Sequence, residues 1–190
     1  MSDWTAQRVP VVVLDANVLF PLTLRDTLLR LAAAGRYQLR WSEPILDEME
    51  RNLVRSLAVS ALQASRLRAV MATAFPDAMV DDFEPLARNL RNDAKDRHVV
   101  AAALKAKASL IVTANLRDFV PLPAGIRASS PDPFLCAFLD QEAAFTIRLL
   151  REQAADMTNP PVSLSLLLQR LHRVTPQFAA EAEHLIRSGF

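Results

Sequence analysis

Val11-Val12-Val13-Leu14 is a run of apolar residues without alternation, and it stops on the carboxylate of Asp15. A run of that kind is buried on both faces, as a central strand of a parallel sheet is. Ser109-Leu110-Ile111-Val112 repeats the pattern and stops on Thr113-Ala114-Asn115. Between the two runs the period lengthens. Pro21 opens a helical stripe of Leu22, Leu24, Leu28, Leu29, Leu31 and Ala32, which Gly35 is placed to end. Tyr37 to Trp41 alternates as a short strand, and Ser42 then reads as the N-cap of a helix that turns Ile45, Leu46, Met49 and Leu53 inward. Residues 57–74 keep helical spacing from Leu57 to Ala74, Met79-Val80 reads as a short strand, and Ile126 to Ser129 as an edge strand. A helix over Asp93 to Leu104 carries Asp96, Val99, Val100 and Ala103 on one face.

This β-α-β-α order predicts an α/β fold around a central parallel sheet of four or five strands, with right-handed crossovers. The character changes at Pro131-Asp132-Pro133. A helical region starts at Phe134, and helices follow at about 141–156, 163–172 and 176–187, separated by Asn159-Pro160-Pro161 and Thr175-Pro176. The chain therefore divides into an α/β domain over residues 9–129 and a helical C-terminal extension over 130–190, expected to serve docking without chemistry of its own.

Composition removes most chemistries. With 190 residues, 51% of them apolar, the chain is long enough for one well-buried domain and a small appendage. Lys+Arg 22 against Asp+Glu 21 leaves the net charge neutral on the question of nucleic acid. Cys136 is the sole cysteine, which rules out an intrachain disulfide and a thiolate metal cluster. The glycines are three, Gly35, Gly125 and Gly189, too dispersed for a dinucleotide fingerprint or a P-loop. His98, His172 and His184 lack zinc spacing, with His98 read as structural, and there is no Gly-x-Ser-x-Gly elbow. Met1 to Arg8 lacks a leader pattern, and no apolar run approaches the ~20 residues of a membrane helix. A soluble cytoplasmic protein is expected, with its chemistry left to carboxylates.

Four acids stand at places a parallel sheet would bring together. Asp15 ends the first strand, where α/β sheets bind ligands, or else it caps the next helix. Glu48 shares a helix face with inward-turned Ile45, or else is a solvated acid. Asp96 opens the buried face of its helix, or else completes a cap with Asp93. Asp118 follows the strand that ends at Val112. Carboxylates crowded together repel one another unless cations neutralise them. An all-oxygen set selects Mg²⁺ or Mn²⁺, ions that act on phosphates through an acidified water and charge stabilisation. Arg51, Arg55, Arg66 and Arg68 cluster nearby, facing either a phosphate backbone or solvent.

Val-Val-Leu-Asp15-Ala-Asn17-Val-Leu, Ser42-x-x-Ile-Leu-x-Glu48, Asp96-Arg-His-Val-Val-Ala-Ala-Ala and Val-Thr113-x-Asn115-x-x-Asp118-Phe119 together resemble the four signature blocks of PIN-domain ribonucleases, in order and spacing. The similarity is greatest to VapC-like toxins of type II toxin–antitoxin systems, one branch of which carries a similar helical tail. The resemblance implies an α/β/α sandwich and Mg²⁺- or Mn²⁺-dependent cleavage of structured RNA, tRNA or rRNA. It also implies a cognate antitoxin and a homodimer. It carries the first three metal-site acids onto Asp15, Glu48 and Asp96. Many relatives have an aspartate two residues after the threonine, where this chain has Asn115, so Asp118 is taken as the fourth. Asn17, Thr113 and Asn115 become polar support, and Arg51, Arg55 and Arg97 candidates for the RNA backbone. In the implied scheme Asp15 and Asp96 anchor the main ion, Glu48 holds or deprotonates the attacking water, and Asp118 completes the shell. Two alternatives stay open: an RNA-processing nuclease without antitoxin, and an RNA- or partner-binding module with an impaired metal site. A haloacid-dehalogenase-like phosphatase is disfavoured because Asn17 stands where its second acid belongs.

Overall fold

The computed structural model describes residues 9–57 and 59–189; Met1 to Arg8, read above for a leader, and the side chain of Leu57 lie outside what is described. Strand β1 (Val11–Leu14) runs through the middle of the sheet, its Val12, Val13 and Leu14 fully buried as the unbroken apolar run requires. Beside it lie β2 (Gln38–Arg40) and β3 (Leu110–Val112), and β4 (Arg127–Ser129) closes the far edge. The order is β2-β1-β3-β4, all parallel, with Val12 opposite both Leu39 and Leu110 and Ile111 opposite Ala128.

Helices α1 (Ala16–Leu19), α2 (Leu22–Ala33), α3 (Glu43–Leu57), α4 (Ala61–Ala74), α5 (Glu84–Ala87) and α6 (Arg97–Lys105) flank this sheet in an α/β/α sandwich. The stop of α2 is as expected. Gly35 takes φ +71°, its amide donates to Ala32 and that of Arg36 to Leu31, the paired bonds of a Schellman turn.

Four sequence expectations fail locally. Met79-Val80 is no strand: Met79 makes a single parallel bridge to Trp41, so the described sheet has four strands. The helix expected over 57–74 is cut, because α3 runs on to Leu57 and α4 starts only after Ser60. Ser60 and Gln63 form a capping box there, each side chain bonded to the other's backbone amide at 3.2 and 3.0 Å. Ser42 does not cap α3; its hydroxyl is buried without a hydrogen-bond partner. The helix expected from Asp93 begins at Arg97, since Asp93 to Asp96 are held as a turn. The Asp93 carboxylate accepts from the Lys95 amide at 3.1 Å, and the Asp93 amide donates to the Asp118 carbonyl at 3.3 Å.

The C-terminal helices α7 (Pro131–Gln141), α8 (Ala143–Asp156), α9 (Leu164–His172) and α10 (Pro176–Arg187) match the expected spans closely. Their buried residues belong to the same apolar cluster as the sheet. Tyr37 meets Phe134 edge-on with ring centres 5.4 Å apart, and its hydroxyl donates to the Leu28 carbonyl. On α8, fully buried Gln153 donates to the Thr23 carbonyl at 3.0 Å and accepts from the Thr27 hydroxyl at 2.8 Å. No described helix is long and apolar enough to cross a membrane.

Candidate active site

The carboxyl ends of β1 and β3 point into one open cavity of about 470 Å³, lined by Asp15, Asn17, Glu48, Asp96, Asn115 and Asp118 together with Pro44, Arg51, Lys95 and His98. All four sequence-selected acids therefore border a single space. Parallel pairing explains why: β1 and β3 share a register, so Leu14 lies opposite Val112 and the residues that follow emerge side by side.

Asp15 is the most fixed of the four, only 3% exposed. Its Oδ1 accepts from the Ala16 amide at 2.7 Å, so the capping role foreseen for it is real. Its Oδ2 accepts at 2.7 Å from both the Asn17 amide and the Thr113 hydroxyl. The Asn17 Oδ1 in turn accepts from the Ala114 amide at 2.9 Å, and the Thr113 hydroxyl oxygen from the Asn115 amide at 3.1 Å. Asn17, Thr113 and Asn115 thus form one network around the carboxylate. Buried Arg25 donates to the Leu19 and Phe20 carbonyls and pins the far end of α1, which holds Asn17. Burial pushes the Asp15 carboxyl above its ordinary range; the Thr113 and Ala16 bonds pull the other way, and the Glu48 charge adds to the rise.

Asp96 is different. It stands at the N-cap position of α6 yet makes no side-chain cap bond, and its Oδ2 is buried without a partner. An acceptor left bare in that way is costly for a charged oxygen. Burial first, then the charge of Asp15, lift its pKa to about 6, against a smaller downward pull from Lys95. Glu48 faces the same cavity from α3, half-buried. Asp118, on a short 3-10 turn anchored by buried Phe119, meets the Lys95 ammonium at 2.6 Å and the Asn115 amide at still closer range.

Of the arginines foreseen for RNA, Arg51 lines the acidic cavity and a neighbouring one of about 330 Å³, which Arg55 shares with Asp47, Glu50 and Val54. Arg97 donates instead to the Asn92 carbonyl at 3.1 Å and is absent from both linings. Arg68 is held by Glu43, Asp47 and Glu50 at 2.5, 2.5 and 3.1 Å, a clamp between α3 and α4. Lys95 and His98 are lining residues that the sequence reading did not select, His98 with its Nε2 buried and unpartnered. Lys95 had one available signal, its place between Asp93 and Asp96 in a run that reads as a turn.

The donor chemistry suits a hard divalent cation: four carboxylates on one cavity and a buried carboxylate oxygen with nothing bound to it. Among the described residues, however, no three His, Cys, Asp or Glu side chains are drawn together as a closed ligand cluster.

Residues 11–117 match the sequence profile of the PIN domain, and residues 131–184 that of the VapC50 C-terminal domain. One curated relative, "Putative ribonuclease VapC50" of Mycobacterium tuberculosis, is 37% identical over 110 residues, which cover 56% of this chain and 65% of that protein. No solved structure matches the chain significantly.

Proposed function

Because the chain belongs to the PIN-domain family, we propose that it is a metal-dependent endoribonuclease acting on structured RNA such as tRNA or rRNA, and the toxin of a toxin–antitoxin pair. The observation that carries this reading is the meeting of Asp15, Glu48, Asp96 and Asp118 on one cavity, with the Asp96 oxygen bare. The name of the mycobacterial relative, "Putative ribonuclease VapC50", supports the same activity. An RNA-processing role without antitoxin uses the same chemistry; finding a small open reading frame directly upstream would favour the toxin role. The nuclease part is taken as residues 9–129 and the extension as 130–190, in a cytoplasmic protein that pairs with an antitoxin and with a second copy of itself.

Asp15, Asp96 and Glu48 are the residues that would hold Mg²⁺ or Mn²⁺, which when bound offsets their mutual repulsion and draws charge from a phosphodiester. The rest falls to the chain. The three bonds to Asp15 fix its carboxylate before substrate arrives, so no reorganisation is needed at the reaction. Arg51 and Arg55 receive flanking phosphates. Glu48 takes the proton of the attacking water while the water oxygen bonds to phosphorus. One P–O ester bond then breaks, and the leaving oxygen takes a proton from solvent.

Sequencing of RNA ends after controlled expression tests activity and substrate together. Wild-type protein is expected to create discrete new ends, and Asp15→Asn to lower their yield by about a hundredfold or more, the usual scale for removing an electrostatic stabiliser. Equal cleavage by Asp15→Asn defeats the assignment.

A further inference from the structure

The carboxylates that line the cavity are unequally served. The Asp118 carboxylate already holds an ammonium at 2.6 Å and the Asn115 amide as well. Asp96 Oδ2 is buried without a hydrogen-bond partner, and Asp15 lines the same cavity. The position of Lys95 is set by backbone. Its amide donates to the Asp93 side chain at 3.1 Å, and the Asp93 amide donates to the carbonyl of Asp118, so the two partners belong to one knot of loops. The lysine side chain is nevertheless 65% exposed, with its charge at the rim of the cavity where an incoming anion would pass. The residue at 115 adds to the asymmetry, since an amide there brings no negative charge.

Resting on the nuclease reading above, we propose that the Lys95 ammonium is a built-in second cation: it sits on Asp118, meets a non-bridging oxygen of the RNA phosphate, and leaves the cavity able to hold one divalent ion, that of Asp15, Asp96 and Glu48. The electrostatic reason is short-range. A fixed positive charge in contact with Asp118 satisfies the carboxylate that a second ion would need, and repels that ion at the same distance. An ammonium with three donors on a flexible stem can meet a phosphate oxygen while one of its protons stays on Asp118, without a change of fold. No bond to Lys95 forms or breaks. The competing account is an ordinary exposed ion pair with no consequence for ligands.

Metal counting separates the two. Full-length protein stripped of metal is titrated with Mn²⁺ alone at about pH 7.5, where every carboxylate of ordinary pKa is ionised, and bound ions are counted by electron paramagnetic resonance. One ion is expected for wild type and Lys95→Arg, and two for Lys95→Gln, which keeps most of the length and loses the charge. In single-turnover cleavage of bulk transfer RNA, Lys95→Gln is expected to be slower by roughly tenfold to a hundredfold, with Lys95→Arg recovering most of the loss. Two ions in wild type, or one ion and unchanged cleavage in Lys95→Gln, overturn the inference. If Asp96→Asn loses Mn²⁺ in those same experiments, the nuclease reading survives that failure. If Asp96→Asn instead binds Mn²⁺ as wild type does, both fall.

Discussion

At Asp96 the cost of the site can be measured directly. Its carboxyl is raised from 3.8 to about 6 by burial and by Asp15. A carboxyl with a raised folded-state pKa binds its proton more tightly when folded. The associated stability is complete below about pH 4 and is lost as pH rises through 6. A shift of that size is worth at most about 3 kcal/mol, and solvent screening at the half-open cavity reduces it to about 1. In metal-free buffer at neutral pH, Asp96→Asn is therefore expected to melt above wild type by about 2–4 °C, with the gap closing below about pH 4. Added Mn²⁺ should reverse the order, since a ligand bound to the native state stabilises only the protein that can hold it. A neutral-pH melt in which Asp96→Asn is the less stable protein without metal contradicts the account. Asp15 shows the opposite design: it is also buried, yet three donors meet it, so its oxygens are never bare.

Among elements, α2 and α8 are joined by a polar contact that no periodicity announces. Gln153 lies in the last turn of α8, fully buried, and spans Thr23 and Thr27 on α2. Gln153→Ala removes both bonds, leaves the Thr23 carbonyl and the Thr27 hydroxyl with only their 2.9 Å bond to each other, and opens a small void. The expected loss is about 2–3 kcal/mol, read as a fall in the denaturation midpoint by urea. The outer ion pair Arg30–Asp156, with the acid 65% exposed, should contribute far less, and Asp156→Ala serves as the control. Element boundaries also reveal where sequence reading fails. The stripe from Leu57 onward looks continuous, but the capping box at Ser60 starts a new helix. The turn at 93–96 displaces the start of α6 to Arg97, because its amides are committed to Asp93 and Asp118 rather than to a helix.

Across the whole molecule, one apolar core runs from β1 through α2 into α7–α10. Tyr37 packs against Phe134 and Phe138, and Arg36 holds Glu142 at 2.6 Å while lying over the Phe145 ring at 4.1 Å. A chain ended after residue 129 would leave these faces to water, an exposed apolar area beyond what a monomer tolerates. Such a truncation is expected to keep much of its far-ultraviolet signal but to lose near-ultraviolet dichroism and bind a hydrophobic dye. A truncated protein with sharp, two-state melting would show that the C-terminal helices are dispensable for folding.

Local pattern alone determined the strands β1 and β3, the stop of α2 at Gly35 and the C-terminal helices, since burial period and strand-end polarity are properties of neighbours along the chain; it offered Asp15, Glu48, Asp96 and Asp118 as candidates, which the family resemblance joined as one set. It misassigned Ser42 as a cap and Met79-Val80 as a strand, and it passed over Lys95. Only the folded arrangement decided which oxygens of those acids are already satisfied. Asp15 is served by Thr113, 98 residues away, Asp118 by the ammonium of Lys95, and one oxygen of Asp96 by nothing. Hydrogen-bond satisfaction and charge are fixed by distances between atoms, and those distances exist only once the sheet has set its register.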